Sequence, residues 1–118
     1  MVNIQIYSET PIEETRGCIS FICGYNVPLN NVSRFPANEN WANFVLSPSG
    51  ESLESIGCKN YRAQSFLSID VYDSQKTEHS RLGHDLKLKL KRLIEQLEKP
   101  IILDSGRRWN IPVSLSDL

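Results

Sequence analysis

Cysteine, histidine and glycine are all scarce in this 118-residue chain, and where they fall removes several chemistries at the outset. The three cysteines, Cys18, Cys23 and Cys58, form an odd set without a CxxC spacing, so neither a disulfide framework nor a zinc knuckle is expected. On a shared helix, Cys18 and Cys23 would point about 140° apart. They are expected as free thiols in a reducing, cytoplasmic compartment. His79 and His84 have the same five-residue spacing and cannot ligate one metal from one helical face. The glycines at 50, 57, 83 and 106 are isolated, and nothing matches a P-loop or GxGxxG. No cofactor or metal is therefore expected.

Long apolar runs are also missing. None approaches the ~18–20 residues that span a bilayer. The N-terminal stretch MVNIQIYSETP lacks the basic start, apolar stretch and cleavage site of a secretory signal. Neither a membrane partner nor export is expected.

Charge is nearly balanced at a formal −1, but unevenly spread. Residues 1–57 carry six Glu against Arg16 and Arg34, a balance of −4; residues 58–118 carry eleven Lys and Arg against eight Asp and Glu, a balance of +3. That is a dipolar surface, not the basic surface of a typical nucleic-acid binder. With 40% hydrophobic residues, the chain is expected to form a single globular domain over residues 1–118.

The strongest positive signal runs from Ser80 to Lys99. At about 100° per residue, Leu82, Leu86, Leu90, Leu93, Ile94 and Leu97 share one arc of roughly 120°, an amphipathic helix with a leucine seam. Ser74 or Thr77 is its expected cap, and Pro100 its stop. Val2, Ile4 and Ile6 alternate with polar residues as in a half-buried strand. Thr10, Pro11 and Glu13 then read as a T-x-x-E capping box opening a helix from Pro11 to Cys23, closed by Gly24. Its expected core face is Ile12, Ile19, Ile22 and Cys23. Gly17 within it suggests either close packing or a tolerated weakness.

Residues 25–40 hold two Pro and five Asn and read as a loop. Trp41–Ser47 and Ser65–Asp73 read as strands, and Ile101–Leu103 as a short one; residues 51–64 fit an edge strand or an irregular excursion. The sequence beyond Gly106 is a tail expected to pack through Trp109 and Ile111. The resulting order is βαββαβ. It predicts an α+β, ferredoxin-like fold, an antiparallel sheet with both helices on one face.

That layout leaves one sheet face uncovered, carrying Tyr7, Phe66, Asp70, Tyr72 and the side of the third segment with Trp41. Aromatic anchors among short polar side chains are the composition of protein interfaces, so these five are the expected partner-binding residues. The alternative is that a loop or the tail folds over this face as a second core. As an RNA platform, Ser65–Tyr72 lacks the basic and glycine positions of an RRM run, and Asp70 would repel phosphate. No nucleophile–base pair or carboxylate pair is placed together by the sequence, so no enzyme activity is expected.

In its size, its βαββαβ order from MVNIQIY to PIILDSG and its lack of catalytic motifs, the chain resembles the small immunity proteins that neutralise bacterial toxins, such as those of contact-dependent inhibition systems. The resemblance implies a non-enzymatic protein that binds a cognate toxin domain, often a nuclease. Many such inhibitors are strongly acidic, and here only the N-terminal half is. A self-associating homodimer or a small-ligand-sensing domain is the alternative.

Overall fold

Alternation of apolar and polar side chains in Val2–Ser8 and Ser65–Val71 gives each segment one greasy face, and the two pair antiparallel with those faces aligned. In the computed structural model, which describes residues 2–35, 42–72, 82–105 and 111–118, they form β1 and β4. Between them run helix α1 (Ile12–Cys23), β2 (Val32–Phe35) and β3 (Ala42–Pro48); after them come helix α2 (His84–Ile94) and β5 (Ile101–Asp104). The five strands make one antiparallel sheet in the order β2-β3-β4-β1-β5.

The chain is thus α+β, with one antiparallel sheet and two α-helices among the described residues. The expected βαββαβ order is not the observed one, because β2 adds a strand where a loop was expected. Val32-Ser33-Arg34-Phe35 alternates exposed and buried residues and pairs Phe35 with Ala42. Four residues between Asn-rich flanks are too short to give a periodic signal.

One sheet face carries Ile4, Ile6, Phe35, Ala42, Phe44, Leu46, Leu67, Ile69, Val71 and Ile102, all buried in the main core. Ile19 and Cys23 of α1 and Leu86, Leu90 and Leu93 of α2 belong to the same cluster, so both helices cover this face. Phe35 and Phe44 meet edge-to-face, with ring centroids 5.8 Å apart. Within α2 the leucine seam behaves as its spacing requires, since Leu86, Leu90 and Leu93 are buried; Leu82 and Leu97 are buried too, but flank the helix. Each such side chain contributes about 1.5–3 kcal/mol.

The helices themselves are shorter than expected. α2 starts at His84 behind an extended Gly83 without a side-chain cap; the expected caps Ser74 and Thr77 lie outside the described residues. It ends at Ile94, with Gln96 N–H turning back to Leu93 O and Leu97 N–H to Ile94 O. The chain then reaches Lys99 at φ +46°. α1 lacks its capping box. Thr10 Oγ1 instead accepts the Glu98 N–H at 2.7 Å, and Glu13 faces Arg16 at 3.7 Å. Gly24 closes α1 as expected, at φ +81° with its N–H on Ser20 O.

Thr10 belongs to a buried hydroxyl cluster that explains both helix ends. Ser8 Oγ donates to Glu98 O at 2.9 Å and lies 2.8 Å from Thr10 Oγ1. Ser65 Oγ donates to Thr10 O, which leaves the Thr15 hydroxyl to donate to Ser65 Oγ at 2.7 Å. With its backbone N–H and C=O held here, Glu98 lies outside the helical hydrogen-bond ladder, four residues past the end of α2. The cluster ties β1, α1, β4 and the α2–β5 connection together at one end of the sheet.

The tail packs differently from expectation. Val113 bridges the β5 edge through its N–H on Ile102 O, Leu118 is buried in the main core, and Ile111 is exposed; Trp109 lies outside the described residues.

Two substitutions test this description in opposite directions. A Cβ on Gly17 meets nothing within 4 Å, so close packing does not explain this glycine. Gly17→Ala is expected to stabilise the protein by up to about 1 kcal/mol. Thr10→Val keeps the shape but strands the Glu98 N–H, and is expected to destabilise by ~1–3 kcal/mol. Urea midpoints of the two variants measure both.

Candidate functional site: the half-open sheet face

The sheet face turned away from the helices divides in two. Residues 49–64 leave β3, form a single 3-10 turn at Glu54–Ile56 and return to β4, crossing this face on the way. Leu53, Tyr61 and Ala63 bury themselves against Tyr7 and Leu103, with Ile56, Cys58, Phe66 and Ile101 packed at the margin. The excursion is therefore a second core, and no edge strand forms in it beyond the single Ser52–Arg62 bridge. The alternative read from the sequence holds for this half of the face, although the segment responsible is neither residues 25–40 nor the tail. It also explains why Ile101, Ile102 and Leu103 are all apolar: both faces of β5 are covered.

Two expected partner-binding residues are packed by this second core. Tyr7 is only 9% exposed and stacks on Phe66 with centroids 4.6 Å apart. Its hydroxyl donates to Glu51 Oε2 at 2.9 Å. Burial, then the Glu51 hydrogen bond and charge, push the phenol up to about 12. Phe66 is half-buried in the same stack. Trp41 lies outside the described residues.

The excursion is clamped at its return end. Gln64 N–H donates to Ser8 O, and Tyr61 OH to Lys99 O at 2.8 Å. Glu9 accepts the Arg62 N–H on Oε2 at 3.0 Å and faces Lys99 Nζ at 3.1 Å on Oε1. The Arg62 amide and then Lys99 hold the Glu9 carboxyl below its usual range. Glu9 is thus held within the molecule, whereas Glu13, 70% exposed beside Arg16, stays on the acidic surface expected of the N-terminal half.

Among the described residues, no segment packs over the other half of the face. The register places Arg34, Asn43, Asp70 and Asn3 side by side across β2, β3, β4 and β1, about 4.8 Å from strand to strand. A parallel row of Val32, Val45, Ser68 and Gln5 lies beside it. Asn3 Nδ2 donates to Asp70 Oδ1 at 2.8 Å, and Ser105 Oγ donates to Asn3 O at 3.1 Å. Tyr72, 39% exposed, extends beyond the rows with its hydroxyl on Asn43 Oδ1 at 3.0 Å. Of the five expected residues, Asp70 and Tyr72 remain available here. Sequence reasoning missed Arg34 and Val32, whose strand it did not see.

Comparison of the chain with protein-family models, curated proteins and solved structures found no match.

Among the described residues, the cysteines and His84 lie away from this strip. Cys23 is buried, and burial pushes its thiol up to about 12, which makes it a poor nucleophile. Cys58 packs against the second core, and His84 is exposed at the start of α2. Among the described residues, no three His, Cys, Asp or Glu side chains cluster as metal ligands, and no helix is long and apolar enough to cross a membrane.

The Glu9 clamp has a pH signature. A carboxyl held below its unfolded value near 4.5 contributes stability above that pH, and loses it as pH falls through the lowered folded value. Glu9→Gln is therefore expected to be less stable than the parent at pH 7, with the gap narrowing below about pH 4.5. Urea midpoints at pH 7, 5 and 3 measure the convergence.

Proposed function

We propose that this chain is a non-enzymatic protein-binding module, and that its recognition surface is the open strip around Asp70 and Tyr72. The observation that carries the reading is the preorganisation of that strip. Its side chains sit on rigid paired strands and are fixed by the Asn3–Asp70 and Tyr72–Asn43 hydrogen bonds, so little ordering entropy is lost on docking. Tyr72 supplies an aromatic anchor, and Arg34 and Asp70 supply opposite charges either side of Asn43 that would fix a partner's register.

The partner we infer is a cognate protein toxin domain, as for the small immunity proteins that the sequence resembles. A ferredoxin-like reading of the scaffold accompanies this. Without β2, the sheet order is β3-β4-β1-β5, with α1 between β1 and β3 and α2 between β4 and β5, which is the split βαβ arrangement. Self-association by pairing at the β2 edge is less favoured. The Tyr25 hydroxyl already donates to Arg34 O on that strand, which occupies a backbone acceptor an added strand would need.

Affinity purification of the tagged chain from its native cells at low salt, followed by mass spectrometry, tests the reading. One stoichiometric protein partner is expected. Tyr72→Ala is expected to weaken its binding by about 2 kcal/mol or more, roughly 30-fold in Kd, and Asp70→Ala to weaken it measurably. Affinity unchanged in both variants, with their folds intact, would remove the strip from the interface.

A further inference from the structure

α2 carries a second stripe that the leucine seam does not use. His84, Lys87, Leu88 and Lys91 are spaced three and four residues apart and share one outer face of the helix. They border Leu115 and Ser116 of the C-terminal 3-10 turn (Leu115–Asp117), and together these side chains enclose an open groove of about 410 Å³. That volume lies within the range of small-molecule sites, roughly 300–1,000 Å³.

The groove combines apolar surface with positive charge. Leu88, 46% exposed, and Leu115 supply the apolar part, the Lys87 and Lys91 ammonium groups supply the charge, and His84 completes the lining. Among the described residues, no carboxylate lines the groove, and the neighbouring Asp117 accepts the Ser114 N–H at 3.0 Å. Among the described residues, no carboxylate lies within ion-pair distance of Lys87 or Lys91. One helical turn apart, these two ammonium groups repel each other, and an anion between them would relieve that repulsion. The second groove on the helical layer, beside Phe21 and Ile22, contains Glu95 as well as Lys89 and Arg92 and lacks this one-signed charge.

We propose that this groove binds a small apolar carboxylate, with its hydrocarbon part on Leu88 and Leu115 and its carboxylate between Lys87 and Lys91. The site is on the helical side of the molecule, away from the open strip, so it stands or falls independently of the binding reading above.

The probe is decanoate below its micellar concentration, titrated into the full chain and followed by methyl NMR and calorimetry. Saturable one-to-one binding is expected, with the largest shifts at the Leu88 and Leu115 methyls. Decanol, with the same chain length but no charge, is expected to bind at least 10-fold more weakly. The double variant Lys87→Gln, Lys91→Gln changes two surface side chains and is expected to lose at least 10-fold for decanoate only. Equal binding of decanol, non-saturable uptake, or shifts centred on Phe21 and Ile22 would each overturn the proposal.

Discussion

A chain of four buried hydroxyls, two of which hold the backbone N–H and C=O of Glu98, is the constraint on which the rest of this structure depends. Ser8, Thr10, Thr15 and Ser65 come from β1, the turn after it, α1 and β4. Polar groups sealed from water are costly unless each finds a partner, and here each partner is on a different element. The cluster therefore sets where α2 ends, how α1 begins and where β5 enters the sheet. It also explains why a good N-cap residue is not used as one: Thr10 completes the Glu98 pairing instead.

From that corner the covered half of the second sheet face follows. Lys99, immediately after Glu98, takes a left-handed backbone conformation, presents its carbonyl to Tyr61 and its ammonium to Glu9. Glu9 and Ser8 then hold Arg62 and Gln64, which brings Leu53, Tyr61 and Ala63 down on Tyr7. The excursion covers the end of the sheet next to the hydroxyl cluster and leaves the Asn3–Asp70 end bare. A molecule that covered both ends would have a closed sheet sandwich. This one keeps a rigid polar strip with one aromatic side chain, and the binding proposal rests on that asymmetry.

Much of the scaffold was legible in the residues because it depends on periodicity. The leucine seam, the Val2–Ile6 and Leu67–Val71 alternations and the Gly24 stop each have one structural solution, and each is found. The points missed share a different cause. β2 is only four residues long, and residues 49–64 pack through Leu53, Tyr61 and Ala63 without any repeat; neither leaves a periodic trace. The T-x-x-E pattern at Thr10 predicted a local cap, but a tertiary hydrogen bond to Glu98, 88 residues away, took the hydroxyl. For the candidate site, the face was identified from alternation. Which half of it is covered depends on the excursion, which buries Tyr7 and half-buries Phe66 and leaves no periodic trace in the sequence.

Amide hydrogen exchange tests the half-covered face most directly, read at Ala63, Gln64 and Glu98. Their N–H groups are bonded to Glu51 O, Ser8 O and Thr10 Oγ1. The account predicts that all three are strongly protected, with Ala63 and Gln64 opening together with β1 and β4. Exchange of Ala63 and Gln64 at the rate of an unstructured loop, with Glu98 still protected, would contradict it, since Tyr7 and Phe66 would then belong to a fully open face.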